Sequence, residues 1–162
     1  MKICVYPGTF DPFTMGHLDI LKRASRIFDF VVIGILINKN KKPVFTLEER
    51  ERLIRDAAQA AGVANFEVES FDGLLVDFCR QKGAQVIIRG LRAVSDYEYE
   101  LQIATMNRRL APEVETLFMM TNASYAYLSS SIVREIGHFG GEIAGMVPAV
   151  TEKYIAERLK KQ

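Results

Sequence analysis

"FVVIGILI", Phe30 to Ile37, runs for eight residues without a charge, and most of its members are β-branched. A strand with one wet face alternates apolar and polar residues. This one does not, so both of its faces are buried, as in a parallel sheet covered by helices. The flanking segments agree. Upstream, "ICVY" (Ile3 to Tyr6) reads as a first strand. It is followed by a helical pattern in which Leu18, Leu21, Ala24 and Phe28 share a face and Ile20 and Ile27 widen it. Downstream, Thr46 and Glu49 form a capping box that opens a helix closed by Gly62. "FEVES" is a third strand, Leu74 to Lys82 a short helix ended by Gly83, and "QVIIR" a fourth strand. Ser95 with Glu98 starts a helix that stops before Pro112, and "ETLFMM" is a fifth strand. One helix follows the serines at 129–131 and another follows Pro148. This alternation predicts an α/β fold with a five-stranded parallel sheet and right-handed crossovers, in a single domain over 1–162.

The totals narrow the function. Lys and Arg number 21 against 20 Asp and Glu, so no bulk charge favours nucleic acid or a membrane surface. An anion site must be a local cluster. Cys4 and Cys79 lie far apart in apolar runs and read as buried thiols in a reducing compartment. The start of the chain lacks a signal-peptide layout, and no apolar run approaches the ~20 residues that span a bilayer. A cytoplasmic location is expected.

In open parallel sheets ligands bind beyond the carboxyl ends of the strands. The first such end carries "YPGTFDPFTMGH", Tyr6 to His17. Gly8 offers backbone freedom, Thr9 a hydroxyl, and Gly16 and His17 open a helix whose N–H groups favour an anion. A plain turn capped by Asp11 or Thr14, with a solvated histidine, fits these residues equally well. After the second strand, "NKNKKP" is either a phosphate-binding loop or a solvated one. After the fourth, Arg89 and Arg92 suit bidentate phosphate contacts, or are satisfied by Asp96, Glu98 or Glu100. After the fifth, Ser129, Ser130 and Ser131 open a helix with hydroxyls and N–H groups together. Four such features at four strand ends fit a ligand with several phosphates. Neither a G-x-x-x-x-G-K-[ST] loop nor a G-x-G-x-x-G fingerprint follows a strand, which argues against a P-loop kinase or a dinucleotide dehydrogenase.

These segments resemble the signatures of the nucleotidyltransferase superfamily. "TMGH" is similar to its T-x-G-H motif and "YLSSSIVR" to its I-S-S-S/T-x-x-R motif. With "KKPVFTLEER" and "IRGLRAVSDYEYE" in the same order, the whole chain resembles the phosphopantetheine adenylyltransferase family. The resemblance implies a Rossmann-like doubly wound sheet and transfer of AMP from ATP to 4′-phosphopantetheine, giving dephospho-coenzyme A and pyrophosphate. It further implies Mg2+ held mainly by ATP phosphates, coenzyme A as a candidate feedback ligand, and a homohexamer. Carried over by motif, His17, Lys41, Arg92 and Thr9 are the expected catalytic residues. Thr9, Phe10, His17, Gly90, Leu91, Arg92 and Glu100 are expected to hold ATP, together with Tyr125, Ala126, Tyr127, Leu128, Ser129, Ser130 and Ser131. Thr9, Lys41 and Arg89 are expected on the acceptor phosphate, and Leu74, Leu75 and Asn107 along the pantetheine arm. Tyr125, Tyr127 and Leu128 stand where the family commonly has tryptophan, phenylalanine and isoleucine.

An acceptor phosphate is already an anion at neutral pH, so the chemistry needs positioning and charge stabilisation in place of a general base. Two rival readings compete with this one. An adenylyltransferase for nicotinate mononucleotide is disfavoured by Thr14, where H-x-G-H members carry histidine, and by "KKP". A non-catalytic nucleotide sensor need not keep His17, Lys41 and Arg92 together.

Overall fold

The computed structural model describes residues 1–93 and 97–161. Its elements run β1 (Ile3–Gly8), α1 (Met15–Ile27), β2 (Phe30–Leu36), α2 (Leu47–Ala60), β3 (Phe66–Phe71) and α3 (Leu75–Lys82). They continue with β4 (Val86–Leu91), α4 (Tyr97–Leu110), β5 (Glu115–Met120), a 3-10 turn at Ala123–Tyr125, α5 (Ser130–His138) and α6 (Ala149–Lys160). The five strands form one parallel sheet in the order β3-β2-β1-β4-β5. The chain winds outward from β1 to β3, then returns to lay β4 on the other side of β1. That reversal opens a crevice at the carboxyl ends of β1 and β4, where this Rossmann-like fold binds ligands.

Each face of the sheet has its own core. Leu21 and Ala24 of α1 and Ile54 and Ala57 of α2 cover Cys4, Val31, Ile33 and Ile88. Val76, Phe78 and Cys79 of α3 cover Val5, Val32 and Ile87 on the opposite face. β2 is therefore buried on both sides, as its unbroken apolar run predicts. A third cluster lies off the sheet, where Val133, Ile143, Val147, Ile155 and Leu159 gather around Phe45 and Leu53. It joins α5 and α6 to the start of α2. Burying a side chain the size of Phe45 contributes roughly 1.5–3 kcal/mol, so this cluster is a strong local anchor.

Local signals act as read. Thr46 and Glu49 close the capping box of α2 by reciprocal bonds of 3.1 and 3.0 Å. Gly83 ends α3 in the left-handed conformation at φ 66°. Three expectations are corrected. Ile27 is 64% exposed, while its neighbour Phe28 takes the place in the core at that end of α1. β1 extends to Gly8 beyond Tyr6, since Pro7 and Gly8 still pair with Gly34 and Ile35 of β2. β4 likewise continues past Arg89, pairing Gly90 and Leu91 with Met119 and Met120. The Ser95 cap lies outside the described residues. Cys4 and Cys79 are free and buried, and burial pushes both thiols up to about 12. No helix among the described residues is long and apolar enough to cross a membrane.

Candidate active site

The loop after β1 is built around one strained residue. Phe10 holds φ 53°, a left-handed conformation that bulky side chains rarely adopt. The backbone freedom expected of Gly8 is thus used at Phe10. Gly8 is needed for space: a Cβ there would sit 2.9 Å from Phe10 Cζ. The buried Phe10 ring meets His17 edge-on at 5.0 Å, and Phe13 stacks on the imidazole at 5.5 Å.

His17 is not a solvated histidine. Thr14 caps α1 by accepting the His17 N–H at 3.3 Å, and His17 Nδ1 accepts the Thr14 N–H at 3.0 Å. A nitrogen that accepts a backbone N–H carries no proton, so the neutral ring bears its hydrogen on Nε2. Burial lowers the His17 pKa to about 3, with Arg92 and Arg89 pushing in the same direction. At neutral pH the residue is a neutral donor with one fixed tautomer.

The lysine loop leaves β2 at Ile37, whose N–H bonds Phe71 O at 2.9 Å. Lys39, Lys41 and Lys42 are exposed. Lys39 pairs with Asp72 at 3.2 Å. The far root of the loop is tied to the first loop: Asp11 accepts the N–H groups of Val44 and Phe45 at 3.0 and 2.9 Å. Arg50, buried at the start of α2, donates to Thr9 O at 3.0 Å.

At the end of β4, Arg89 gives Nε and Nη2 to Glu100 at 2.9 and 2.6 Å, leaving Nη1 near Pro7 O at 3.4 Å. Of the three carboxylates the sequence offers Arg89, Glu100 satisfies it, and Asp96 lies outside the described residues. Arg92 donates to Leu128 O at 3.3 Å. Ser129 caps α5 by accepting the Ile132 N–H, and Ser130 donates to Pro12 O at 2.7 Å. The N–H groups of Ser130 and Ser131 thus lie at the positive end of α5, directly over the first loop. Arg134 reaches across from α5 to Asp11 O at 2.6 Å and to Ser131 Oγ at 3.2 Å.

These pieces surround three adjoining cavities. The first, about 310 Å³, is lined by Thr9, Phe10, His17, Gly90, Arg92, Glu100, Tyr125, Leu128 and Ser129 to Ser131. The second, about 370 Å³, brings Leu74, Leu75 and Asn107 together with Thr9, Arg89 and Glu100. The third, about 440 Å³, holds Lys41 with Thr9, Ser130 and Ser131. Leu91, Ala126 and Tyr127, also expected on ATP, are not among the residues lining these three; Tyr127 is 71% exposed. Asp11, Arg50 and Arg134 line the cavities without having been singled out as site residues. Arg134 had a signal, since it is the arginine that ends "SSSIVR". Arg50 had none, because an arginine within "LEERERL" reads as helix surface.

Among the described residues, no group of three His, Cys, Asp or Glu could hold a metal ion. The two buried carboxylates on the first cavity are engaged, Asp11 by two backbone N–H groups and Glu100 by Arg89. This donor set fits a cation carried in on phosphate oxygens and does not fit a dedicated protein metal site.

Residues 5–136 match the model of the cytidylyltransferase-like family. A phosphopantetheine adenylyltransferase of Alkaliphilus metalliredigens is 54% identical over 158 residues, covering 98% of this chain and 99% of the relative. One from Clostridium tetani is 58% identical over 148 residues, 91% of each chain. The crystal structure of a bifunctional NMN adenylyltransferase/ADP ribose pyrophosphatase from Francisella tularensis, complexed with AMP and a manganese ion, superposes with TM-score 0.74. It covers 99% of this chain and 50% of that one, and at 18% identity it shows the shared fold alone.

Proposed function

The chain belongs to the cytidylyltransferase-like family, and within it to the phosphopantetheine adenylyltransferases, and on that premise we propose how its residues divide the reaction. The enzyme is a nucleotidyltransferase of coenzyme A biosynthesis, transferring AMP from ATP to 4′-phosphopantetheine with release of pyrophosphate. One observation carries the assignment of residues: Thr9 borders all three cavities, so a ligand in each would meet beside its hydroxyl.

In this reading ATP fills the cavity between His17 and α5, and the pantetheine arm fills the one lined by Leu74, Leu75 and Asn107. An oxygen of the acceptor phosphate attacks the α-phosphorus of ATP. The bond to the bridging oxygen breaks, and its electron pair leaves with pyrophosphate. Nε2–H of His17 donates to an α-phosphate oxygen, and its neutrality leaves the hydrogen bond free to strengthen as charge develops. Lys41 follows the same phosphate as a mobile point charge, while Arg92 and the first turn of α5 take the leaving pyrophosphate. Arg89, oriented by Glu100, faces the acceptor phosphate. Leu91, Ala126 and Tyr127 serve the nucleotide from the margins of the cavity. The divalent cation of the reaction is magnesium in this reading; it would neutralise triphosphate charge, held by phosphate oxygens.

Coenzyme A shares the arm and the nucleotide of the product, so as a feedback ligand it would compete for the same cavities. The enzyme works in the cytoplasm as a homohexamer. The apolar side chains left exposed on α4 and the edge strand β5, among them Met106, Leu110 and Leu117, support assembly. The deciding test measures pyrophosphate release from ATP and magnesium with each acceptor in turn. 4′-Phosphopantetheine is expected to support turnover and nicotinate mononucleotide is not; equal turnover with both would overturn the acceptor assignment.

A further inference from the structure

Asp11 is a buried carboxylate on the wall of the cavity that holds ATP in the reading above. Such a charge repels phosphate, so its presence needs a reason beyond filling space. Its hydrogen bonds supply one. Oδ2 accepts the N–H of Val44 and Oδ1 the N–H of Phe45, two successive residues of the strap that follows the lysines. The same two residues are held from the other side. Val44 O accepts Arg158 Nη2 of α6 at 2.9 Å, and the Phe45 ring is fully buried in the third core cluster. Asp11 is itself steadied by Arg134, which donates to its carbonyl oxygen and lies 3.8 Å from its carboxylate.

Lys41 lies three residues before this clamp. Three extended residues span at most roughly 11 Å, so the clamp limits where Lys41 can be. The other end of the loop is tied to the sheet through Ile37. Between these two roots the lysine-bearing segment is exposed and the roots are not. We propose that Asp11 is a positioning residue for Lys41: it fastens the far root of the lysine loop to the loop that carries Thr9 and leads into α1. The lysine then sweeps a small volume over the third cavity, which Thr9 lines as well. The proposal rests on the reading of Lys41 as the charge that follows the transferred phosphate.

Asparagine at this position presents one acceptor oxygen and a donating NH2 group to two backbone donors, so Asp11→Asn breaks half the clamp with little change in volume. Amide hydrogen exchange read by mass spectrometry should show Val44 and Phe45 exchanging at least tenfold faster in Asp11→Asn, with α2 and α6 unchanged. A misplacement of about 1 Å can cost about 10²-fold, so the turnover number should fall 10- to 100-fold while the KM for ATP moves less than about threefold. The test that separates positioning from general support is a double-variant comparison. On a Lys41→Ala background, Asp11→Asn should cost less than about threefold, because the group it positions is gone. Asp11→Ser serves the same comparison if the asparagine variant does not melt cooperatively. Normal exchange at Val44 and Phe45, or an equal loss of turnover on both backgrounds, would overturn the proposal and leave the reading of Lys41 standing. Undiminished turnover in Lys41→Ala alone would overturn both.

Discussion

At His17 one hydrogen bond decides what the residue can do. Because Nδ1 accepts the Thr14 N–H, the proton sits on Nε2, at the phosphate side in our reading. Replacing His17 with alanine should lower the turnover number by about 10²- to 10³-fold, the usual loss for one preorganised donor to developing charge. The ATP dissociation constant by calorimetry should change far less, since Arg92 and the start of α5 remain. Equal losses in both would make His17 a ground-state binding residue. The same burial has a consequence for stability. The folded pKa is about 3, against roughly 6.5 in an unfolded chain. Between those values the unfolded state binds a proton that the folded state refuses. The stabilisation is complete above about pH 6.5 and is lost as pH falls toward 3. On going from pH 7 to pH 5 at fixed ionic strength, the wild type should therefore lose more Tm than His17→Gln; parallel losses would contradict the half-buried, neutral state. Helix-start position and turn chemistry made this histidine legible in the sequence. Its tautomer was not, because that depends on a ring nitrogen meeting a backbone N–H, a detail of rotamer and cap geometry. Asp11 was legible only as one of two candidate turn caps, with Thr14, for a similar reason: its partners are 33 and 34 residues away.

The elements that carry the site work by bringing distant segments together. The first loop keeps its shape through the contact of Gly8 with the strained Phe10. Gly8→Ala would drive a Cβ against the Phe10 ring, and overpacking of this kind costs about 1–3 kcal/mol. Since that ring abuts His17, melting temperature and turnover should both fall; a variant of full activity would mean that the ring shifts without moving the imidazole. In the lysine loop only Lys41 and Lys42 face the third cavity, while Lys39 is directed to Asp72. An exposed pair of that kind contributes between nothing and about 1 kcal/mol. Lys39→Ala and Lys42→Ala should therefore leave turnover within about threefold of wild type, and Lys41→Ala should reduce it by more than tenfold. A Lys42→Ala loss as deep as that of Lys41→Ala would shift the assignment by one residue. The capping box of α2, the glycine end of α3 and the serine start of α5 were readable because each is a local pattern of three or four residues. The pairing of Arg89 with Glu100 was readable only as one candidate among three carboxylates, since spacing does not reveal whether a carboxylate eleven residues on turns inward.

On the scale of the whole molecule, a parallel sheet covered by helices on both faces was legible from the unbroken apolar run of β2, while the order of its strands was not. Not legible was where the covering stops. β5 alternates with no clear buried face, and it closes one side of the sheet with only β4 beside it. α4 in the same region buries only Glu100 among its residues, whereas α1 buries four. Leu101, Met106, Leu110, Leu117 and Met120 are each at least 44% exposed there. Apolar exposure on that scale marks an interaction surface, and an edge strand adds unpaired backbone groups to it. A second copy of the chain is the partner that a homohexamer requires. The wild-type protein should sediment at about six times its 18.3 kDa chain mass. Met106→Glu combined with Leu110→Glu should shift it to smaller species. The protomer itself should hardly be destabilised, because both side chains already face solvent in it and surface changes are usually within about 0.5 kcal/mol. Sedimentation equilibrium distinguishes the outcomes. A wild type of single-chain mass removes the hexamer from the reading, and a double variant that stays large moves the interface away from α4.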